Sequence, residues 1–279
     1  MKQVSYSQYS LWNSCPYQWK LQYVDKIKTS EPSIHTIFGS AMHEAIQTYL
    51  GCMYNFTIKE ADEQNIEDLL RRKMKEFYQK EIVETDKLDL VSQEDMVEFY
   101  QQGEEIIDYF RKKRADYFNK KSWTLLGIEE KLAIPIRGDL NFLGYIDVVI
   151  KDEISGKIKI IDLKTATMGW NKYQKADVIK SDQLLLYKEY YAKKHDVPVE
   201  MIDIEFLIFK RKLWEKAEFP QKRIQRHVPA NGKPSMNKMR ARFDEFLDAC
   251  YEKDGSVKEG INYEKCQGKC KAFTKCKGL

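Results

Sequence analysis

Apolar positions recur with two different periods in two parts of the chain. Through roughly the first two-fifths the spacing is helical. Tyr9, Trp12, Tyr17, Trp19 and Tyr23 form an aromatic-rich opening, and Gly39-Ser40 reads as the start of a helix running through Ala45, Ile46, Tyr49 and Leu50. Residues 58–81 are charged and amphipathic. Ser92-Gln93-Glu94-Asp95 has the form of a capping box, after which Met96, Phe99, Tyr100, Ile107 and Phe110 return at helical spacing. Near Trp123 the period changes to two. Strands are predicted over Trp123 to Ile136, Leu140 to Ile150 and Lys157 to Thr165, with Arg137-Gly138-Asp139 and Asp152-Glu153-Ile154-Ser155-Gly156 as hairpin turns. A helix over Ser181 to Lys194, a strand over Ile202 to Lys210 and a last helix follow. Met236, Met239, Phe243, Phe246, Leu247 and Cys250 make the apolar stripe of that last helix. This order predicts an α/β domain with a helical insertion.

Composition narrows the class. The chain has 279 residues, 43% hydrophobic and 32% charged, with 13 Gly and 7 Pro, which excludes a disordered or fibrous protein. No apolar run is long enough to span a membrane, and the opening Met1 to Tyr6 has no apolar signal region, so a cytoplasmic protein without membrane contact is expected. Net charge is only +4, but its distribution is uneven. Between Lys210 and Arg242 eleven basic residues face two acids, so this segment carries +9 and the rest of the chain −5. Trp214, Phe219 and His227 lie among these cations, a combination suited to a phosphate backbone with unstacked bases; a solvated basic face has the same composition. Lys210, Arg211, Lys212, Lys222, Arg223 and Arg226 are the candidate DNA-binding residues.

Two carboxylates interrupt apolar strands. In Gly144-Tyr145-Ile146-Asp147-Val148-Val149-Ile150 a single acid sits where an unpaired charge is costly. In Ile158-Lys159-Ile160-Ile161-Asp162-Leu163-Lys164-Thr165, period two places Ile158, Ile160, Asp162 and Lys164 on one face. If the two strands pair, Asp147 approaches Asp162 and Lys164 at a strand end. Such carboxylates suit a hard cation, Mg2+ or Mn2+, with Lys164 placed to orient a nucleophile or to stabilise a transition state. An ion pair of Asp162 with Lys164 on a strand surface is the plain alternative.

The combination of Gly144-Tyr145-Ile146-Asp147, Ile160-Ile161-Asp162-Leu163-Lys164-Thr165 and Gln183-Leu184-Leu185-Leu186-Tyr187 resembles the PD-(D/E)xK nuclease superfamily, particularly its RecB-type exonuclease domains. Upstream, Phe38-Gly39-Ser40-Ala41-Met42-His43-Glu44-Ala45 is similar to the family's helix with a metal-binding histidine, and Ser5-Tyr6-Ser7 with Cys15-Pro16-Tyr17 is similar to its opening. The resemblance implies a restriction-endonuclease-like core, a central mixed sheet flanked by helices. It would form a single nuclease domain over 1–279, with a helical insertion over 44–120 and a cysteine-rich segment over 260–279. It also implies metal ligation by His43, Asp147, Asp162 and the Leu163 carbonyl, catalysis by Lys164, and Gln183 and Tyr187 lining the active site. In the first turn of a helix beginning at Gly39-Ser40, the helix dipole disfavours imidazolium, so His43 is expected to keep a nitrogen free to ligate. Glu129 and Glu130 are additional acidic candidates on the first strand of the meander.

Six cysteines without a secretion signal point to a metal, a cluster or buried thiols. Cys15 together with Cys266, Cys270 and Cys276 resembles the iron-sulfur staple of AddB-type and CRISPR-associated nucleases, which implies a 4Fe-4S cluster. Three residues separate Cys266 from Cys270 where the family usually has two, and zinc fits the same four thiols. Cys52 and Cys250 read as ordinary buried thiols. The resulting expectation is a Mg2+- or Mn2+-dependent DNA exonuclease of recombination, repair or phage DNA processing, acting on single strands or duplex ends, with a helicase or strand-annealing protein as partner. A catalytically weak binding subunit and a structure-specific endonuclease are the alternatives.

Overall fold

The computed structural model describes residues 2–27, 33–85 and 91–261. A mixed sheet of six strands runs through it: β1 (Lys2–Val4), β2 (Trp123–Arg137), β3 (Leu140–Asp152), β4 (Ile158–Ala166), β5 (Ile202–Lys210) and β6 (Ile224–His227). β2 and β3 form a long antiparallel hairpin. On its other side β3 pairs with β1 in parallel at Leu140 to Phe142 and with β4 antiparallel at Val148 to Lys151. β4 and β5 are parallel and β5 and β6 antiparallel.

Helices cover both faces. α1 (Tyr6–Ser14), α2 (Pro16–Trp19), α8 (Val178–His195) and α9 (Lys233–Cys250) bring residues to the core on one face. α3 (Ile34–Asn55), α4 (Ile58–Glu63), α5 (Ile66–Thr85) and α6 (Gln93–Lys113) build the other, and α7 (Lys172–Ala176) lies between β4 and α8. A two-sided sheet explains why β4 and β5 are apolar almost throughout instead of alternating. Ile158, Ile160, Ile204, Phe206 and Ile208 face the first core, while Ile161, Leu163, Leu207 and Phe209 face the second.

Several boundaries differ from those predicted. The strand over Ile202 to Lys210 and the meander fall where the alternation placed them, but β1 and β6 are too short to show a period. The amphipathic stretch over 58–81 is two helices, α4 and α5, parted after Glu63. The largest difference is α3, which starts at Ile34 and not at Gly39. Its N-cap is Ser33, in a reciprocal capping box with Thr36. Gly39 lies inside the helix because α3 crosses β4 closely: a β-carbon there would stand 3.3 Å from Thr165 Oγ1. Residue 44, the expected start of the helical insertion, also lies within α3.

Candidate active site

The ladder between β3 and β4 ends at the pair Val148 and Ile161. The next residues toward the opening of this fork are Asp147 and Asp162. Past the last rung the backbone of β4 lacks a strand partner on the β3 side, and a side chain takes its place: Leu163 N–H donates to Asp147 Oδ2 at 2.7 Å. In an extended strand the N–H and C=O of a residue point to the same edge, so the Leu163 carbonyl also faces the fork.

Both helical layers reach this fork. From α3, His43 Nδ1 lies 3.5 Å from Asp147 Oδ1 with its side chain 24% exposed. One turn on, Gln47 Nε2 donates to the Asp147 carbonyl at 3.4 Å and to Glu129 Oε1 at 2.7 Å. From α8, Gln183 Nε2 donates to Asp162 Oδ1 at 2.9 Å and reaches Tyr187 OH at 3.4 Å. Tyr187 enters because residue 144 has no side chain: a β-carbon on Gly144 would stand 2.8 Å from Tyr187 Cε1. Lys164 Nζ is 2.7 Å from Asp162 Oδ2. That oxygen is buried, and besides the ammonium no donor among the described residues reaches it.

Electrostatics follow from this packing. Asp162 is 2% exposed, and burial pushes its carboxyl up to about 6, with neighbouring Asp147 adding to the rise while Lys164 opposes it. For His43, burial is the largest influence and favours the neutral ring, but the hydrogen bond and charge of Asp147 outweigh it, so the imidazole lies above its usual value. This corrects the helix-dipole expectation. His43 is the tenth residue of α3, well beyond the first turn, and Asp147 rather than the dipole governs its proton. Burial also raises the Tyr187 hydroxyl, so it stays protonated as a donor.

The structure thus gathers His43, Asp147, Asp162, Leu163, Lys164, Gln183 and Tyr187 at one opening. It adds Gln47, which sequence reasoning missed although it sits four residues after His43 on the same helix face. The two acidic candidates divide. Glu129 bonds to Gln47 beside Asp147 and has φ +49°, whereas Glu130 turns to Lys194 and His195.

No ready-made cluster of three His, Cys, Asp or Glu ligands stands among the described residues. The donor set still fits a hard cation. Two carboxylates, an imidazole and a backbone carbonyl converge, and at this site Asp162 Oδ2 is a buried oxygen still lacking a hydrogen bond.

The proposed DNA-contacting residues do not form a free cationic face. Arg226 grips Glu205 through two nitrogens, Arg223 pairs with Glu105 and Lys212 with Glu98, and Arg211 is buried. Guanidinium groups match carboxylates well, and distant parts of the chain supply those carboxylates. Lys222 is exposed and Lys210 half-buried. Cys15 is buried at the N-cap of α2, where its sulfur accepts from Gln18 N–H at 3.4 Å. Cys266, Cys270 and Cys276 lie outside the described residues.

A mixed sheet between helical layers, with carboxylates and a lysine where two central strands part, is the architecture of a nuclease core. The chain belongs to the PD-(D/E)XK nuclease superfamily, whose sequence profile matches residues 3–277. Comparison with curated proteins gives no match. Among 18 matching chains of solved structures is a candidate exonuclease from Eubacterium rectale, 14% identical, with 96% of this chain and 94% of that chain covered at a TM-score of 0.48. No helix among the described residues is long and apolar enough to cross a membrane.

Proposed function

We propose that the chain is a divalent-metal-dependent deoxyribonuclease, working as an exonuclease, with its active site at the fork of β3 and β4. The observation that carries this reading is the pairing of two buried carboxylates with Lys164 beyond the last rung of the ladder. Asp147, Asp162, His43 and the Leu163 carbonyl would hold Mg2+ or Mn2+. Once bound, the cation would supply charge neutralisation at a phosphodiester and acidify a water molecule.

The protein's own groups do the rest. Asp147 holds the Leu163 amide and thereby the direction of the adjoining carbonyl. Gln183 orients Asp162, and the neutral Tyr187 hydroxyl accepts from the same amide nitrogen and steadies it. Lys164, 31% exposed at its side chain, keeps one side toward solvent, where a scissile phosphate can reach its ammonium. The test is digestion of single- and double-stranded DNA with Mn2+. We expect shortening from the ends by the wild type and none by Lys164→Ala; equal digestion by both sinks the assignment.

In this reading residues 1–279 form one nuclease domain, with 44–120 as its helical insertion and 260–279 as its cysteine-rich segment. A 4Fe-4S cluster on Cys15, Cys266, Cys270 and Cys276 would staple the chain ends, with zinc as the other candidate. Support comes from the position of Cys15 between α1 and α2, beside the aromatic cluster where Trp19 meets Tyr251 just past the end of α9, with ring centroids 6.1 Å apart. Iron and sulfide analysis of anaerobically purified protein decides between the metals. Work beside a helicase or a strand-annealing protein in recombination, repair or phage DNA processing is the corresponding role, tested by co-purification.

A further inference from the structure

Five arginines lie between Lys210 and Arg242, and four of them close on carboxylates. Arg223 pairs with Glu105, Arg226 with Glu205, Arg240 with Glu189 and Arg242 with Asp182. Arg211 is different. It is 4% exposed, and its guanidinium donates to two neutral oxygens, Gln102 Oε1 at 2.6 Å and Thr167 Oγ1 at 2.8 Å. It lies 3.8 Å over the centre of the Phe99 ring, and among the described residues it forms no ion pair. Burial accordingly pulls its pKa below the usual arginine value. A buried cation with hydrogen bonds but no anion is costly, and the cost falls if an anion arrives.

The surroundings supply a place for one. Arg211 lines a groove of about 790 Å3 with Lys212, Trp214, Lys216, Met168 and Arg223. Trp214 is 62% exposed, with Met168 also exposed on the same wall. Glu105 matches Arg223 and Glu98 matches Lys212, so Arg211 and Lys216 against Glu215 leave one positive charge in excess, complementary to phosphate. The groove is close to the reaction. Arg211 N–H donates to the Ala166 carbonyl and Lys212 N–H to that of Thr167. Lys164 and Met168 are four positions apart in the chain, at most about 14 Å when extended.

We propose that this groove is a subsite for the substrate strand, in which Arg211 receives a phosphodiester and Trp214 stacks an unpaired base next to the scissile position. The inference rests on the nuclease reading and names its substrate as single-stranded DNA, because a base within a duplex has no free face for Trp214. Arg211 is a binding residue here, and Lys164 remains the residue at the chemistry.

The experiment is fluorescence anisotropy of labelled oligo(dT), an abasic strand of the same length and a duplex, on the full chain in EDTA so that no cleavage occurs. Trp214→Ala should raise the Kd for oligo(dT) about 5-fold or more, the usual scale of one stacked base, and leave the abasic strand nearly unchanged. Arg211→Gln should weaken both strands, and Arg211→Lys should restore part of the loss. Should the buried Arg211 variants fail to fold, Trp214→Ala and Lys216→Gln carry the test, because both positions are exposed. Lys216→Gln should flatten the salt dependence of binding.

Wild-type affinity for oligo(dT) in Trp214→Ala, with unchanged salt dependence in Lys216→Gln, overturns the subsite. Preference of the wild type for the duplex overturns it too. Failure of the nuclease reading has a different signature, the absence of Mn2+-dependent cleavage by wild-type protein; strand binding that still depends on Trp214 would then support the subsite alone.

Discussion

Asp162 and Asp182 are both fully buried carboxylates, 2% and 0% exposed, contributed by β4 and by the following helix α8. Their surroundings are opposites. Asp182 receives Arg242 through two nitrogens, at 2.8 and 2.5 Å, and the Tyr9 hydroxyl at 2.7 Å. Both oxygens are answered, and the contacts tie α8 to α1 and α9. Asp162 has a single donor, Gln183, on one oxygen and only the half-exposed ammonium of Lys164 on the other. A complete set of partners marks a carboxylate that holds the fold, and an incomplete one marks a carboxylate kept open for something else.

Removing the charge of each acid sharpens the contrast most. Asp162→Asn should reduce Mn2+-dependent DNA cleavage by about 100-fold or more, as loss of a group aimed at transition-state charge does, while thermal melting stays within about 1 kcal/mol of wild type. Asp182→Ala should do the reverse. Removing one partner of a buried pair costs roughly 3–5 kcal/mol, and the melting temperature should fall steeply while cleavage per folded molecule survives. Equal loss of stability in both variants would erase the distinction.

Metal addition tests the same difference without touching the fold. An ion that binds only the native state stabilises it by about 2.7 kcal/mol at a hundred times its Kd. Mn2+ should therefore raise the melting temperature of the wild type and of Lys164→Ala, and leave that of Asp162→Asn nearly where it was. A shift of equal size in Asp162→Asn would move the metal elsewhere, for example to the cysteines.

How far the sequence went follows from the same chemistry. Asp147 and Asp162 were legible because each breaks an apolar strand, and the meander itself could be read from its period. What lay hidden depends on contacts between distant residues. Nothing near Arg223, Arg226, Arg240 or Arg242 in the chain announces that Glu105, Glu205, Glu189 and Asp182 will neutralise them, so a run of +9 looked like a cationic face. Gly39 looked like a helix boundary, since glycine usually is one, whereas it lies mid-helix where α3 passes close to Thr165. That misplaced boundary put His43 at a helix end and led to the wrong direction for its pKa. The cysteine triplet falls outside the described residues.

Gly144 belongs to the open region and should respond in two ways. Gly144→Ala pushes a methyl group toward Tyr187, and overpacking of this kind costs about 1–3 kcal/mol. Because the displaced ring belongs to the Gln183 and Tyr187 pair at Asp162, cleavage should fall further than the stability loss alone accounts for. Restoring space with Gly144→Ala plus Tyr187→Phe would not recover it, since only the hydroxyl is removed and the ring still clashes. Recovery of both melting temperature and cleavage in that pair would put the conflict at the hydroxyl.

The smallest effect is expected at Glu129, whose backbone at φ +49° is left-handed, a region costing a non-glycine residue roughly 1–2 kcal/mol. Its carboxylate is held by Gln47, which also bonds the Asp147 carbonyl. Glu129→Gly relieves the strain, and the greater freedom of glycine in the unfolded chain takes back part of the gain, so the net stabilisation should be at most about 1 kcal/mol. At Asp182 such a local relaxation has no counterpart, because removing the carboxylate leaves Arg242 and the Tyr9 hydroxyl without their shared acceptor. If Glu129 is strained in order to place an acid beside Asp147, then Glu129→Gly should melt at or slightly above the wild-type temperature and cleave DNA more slowly. Cleavage at the wild-type rate in the more stable variant would make the strain a local feature of the β2 backbone and nothing more.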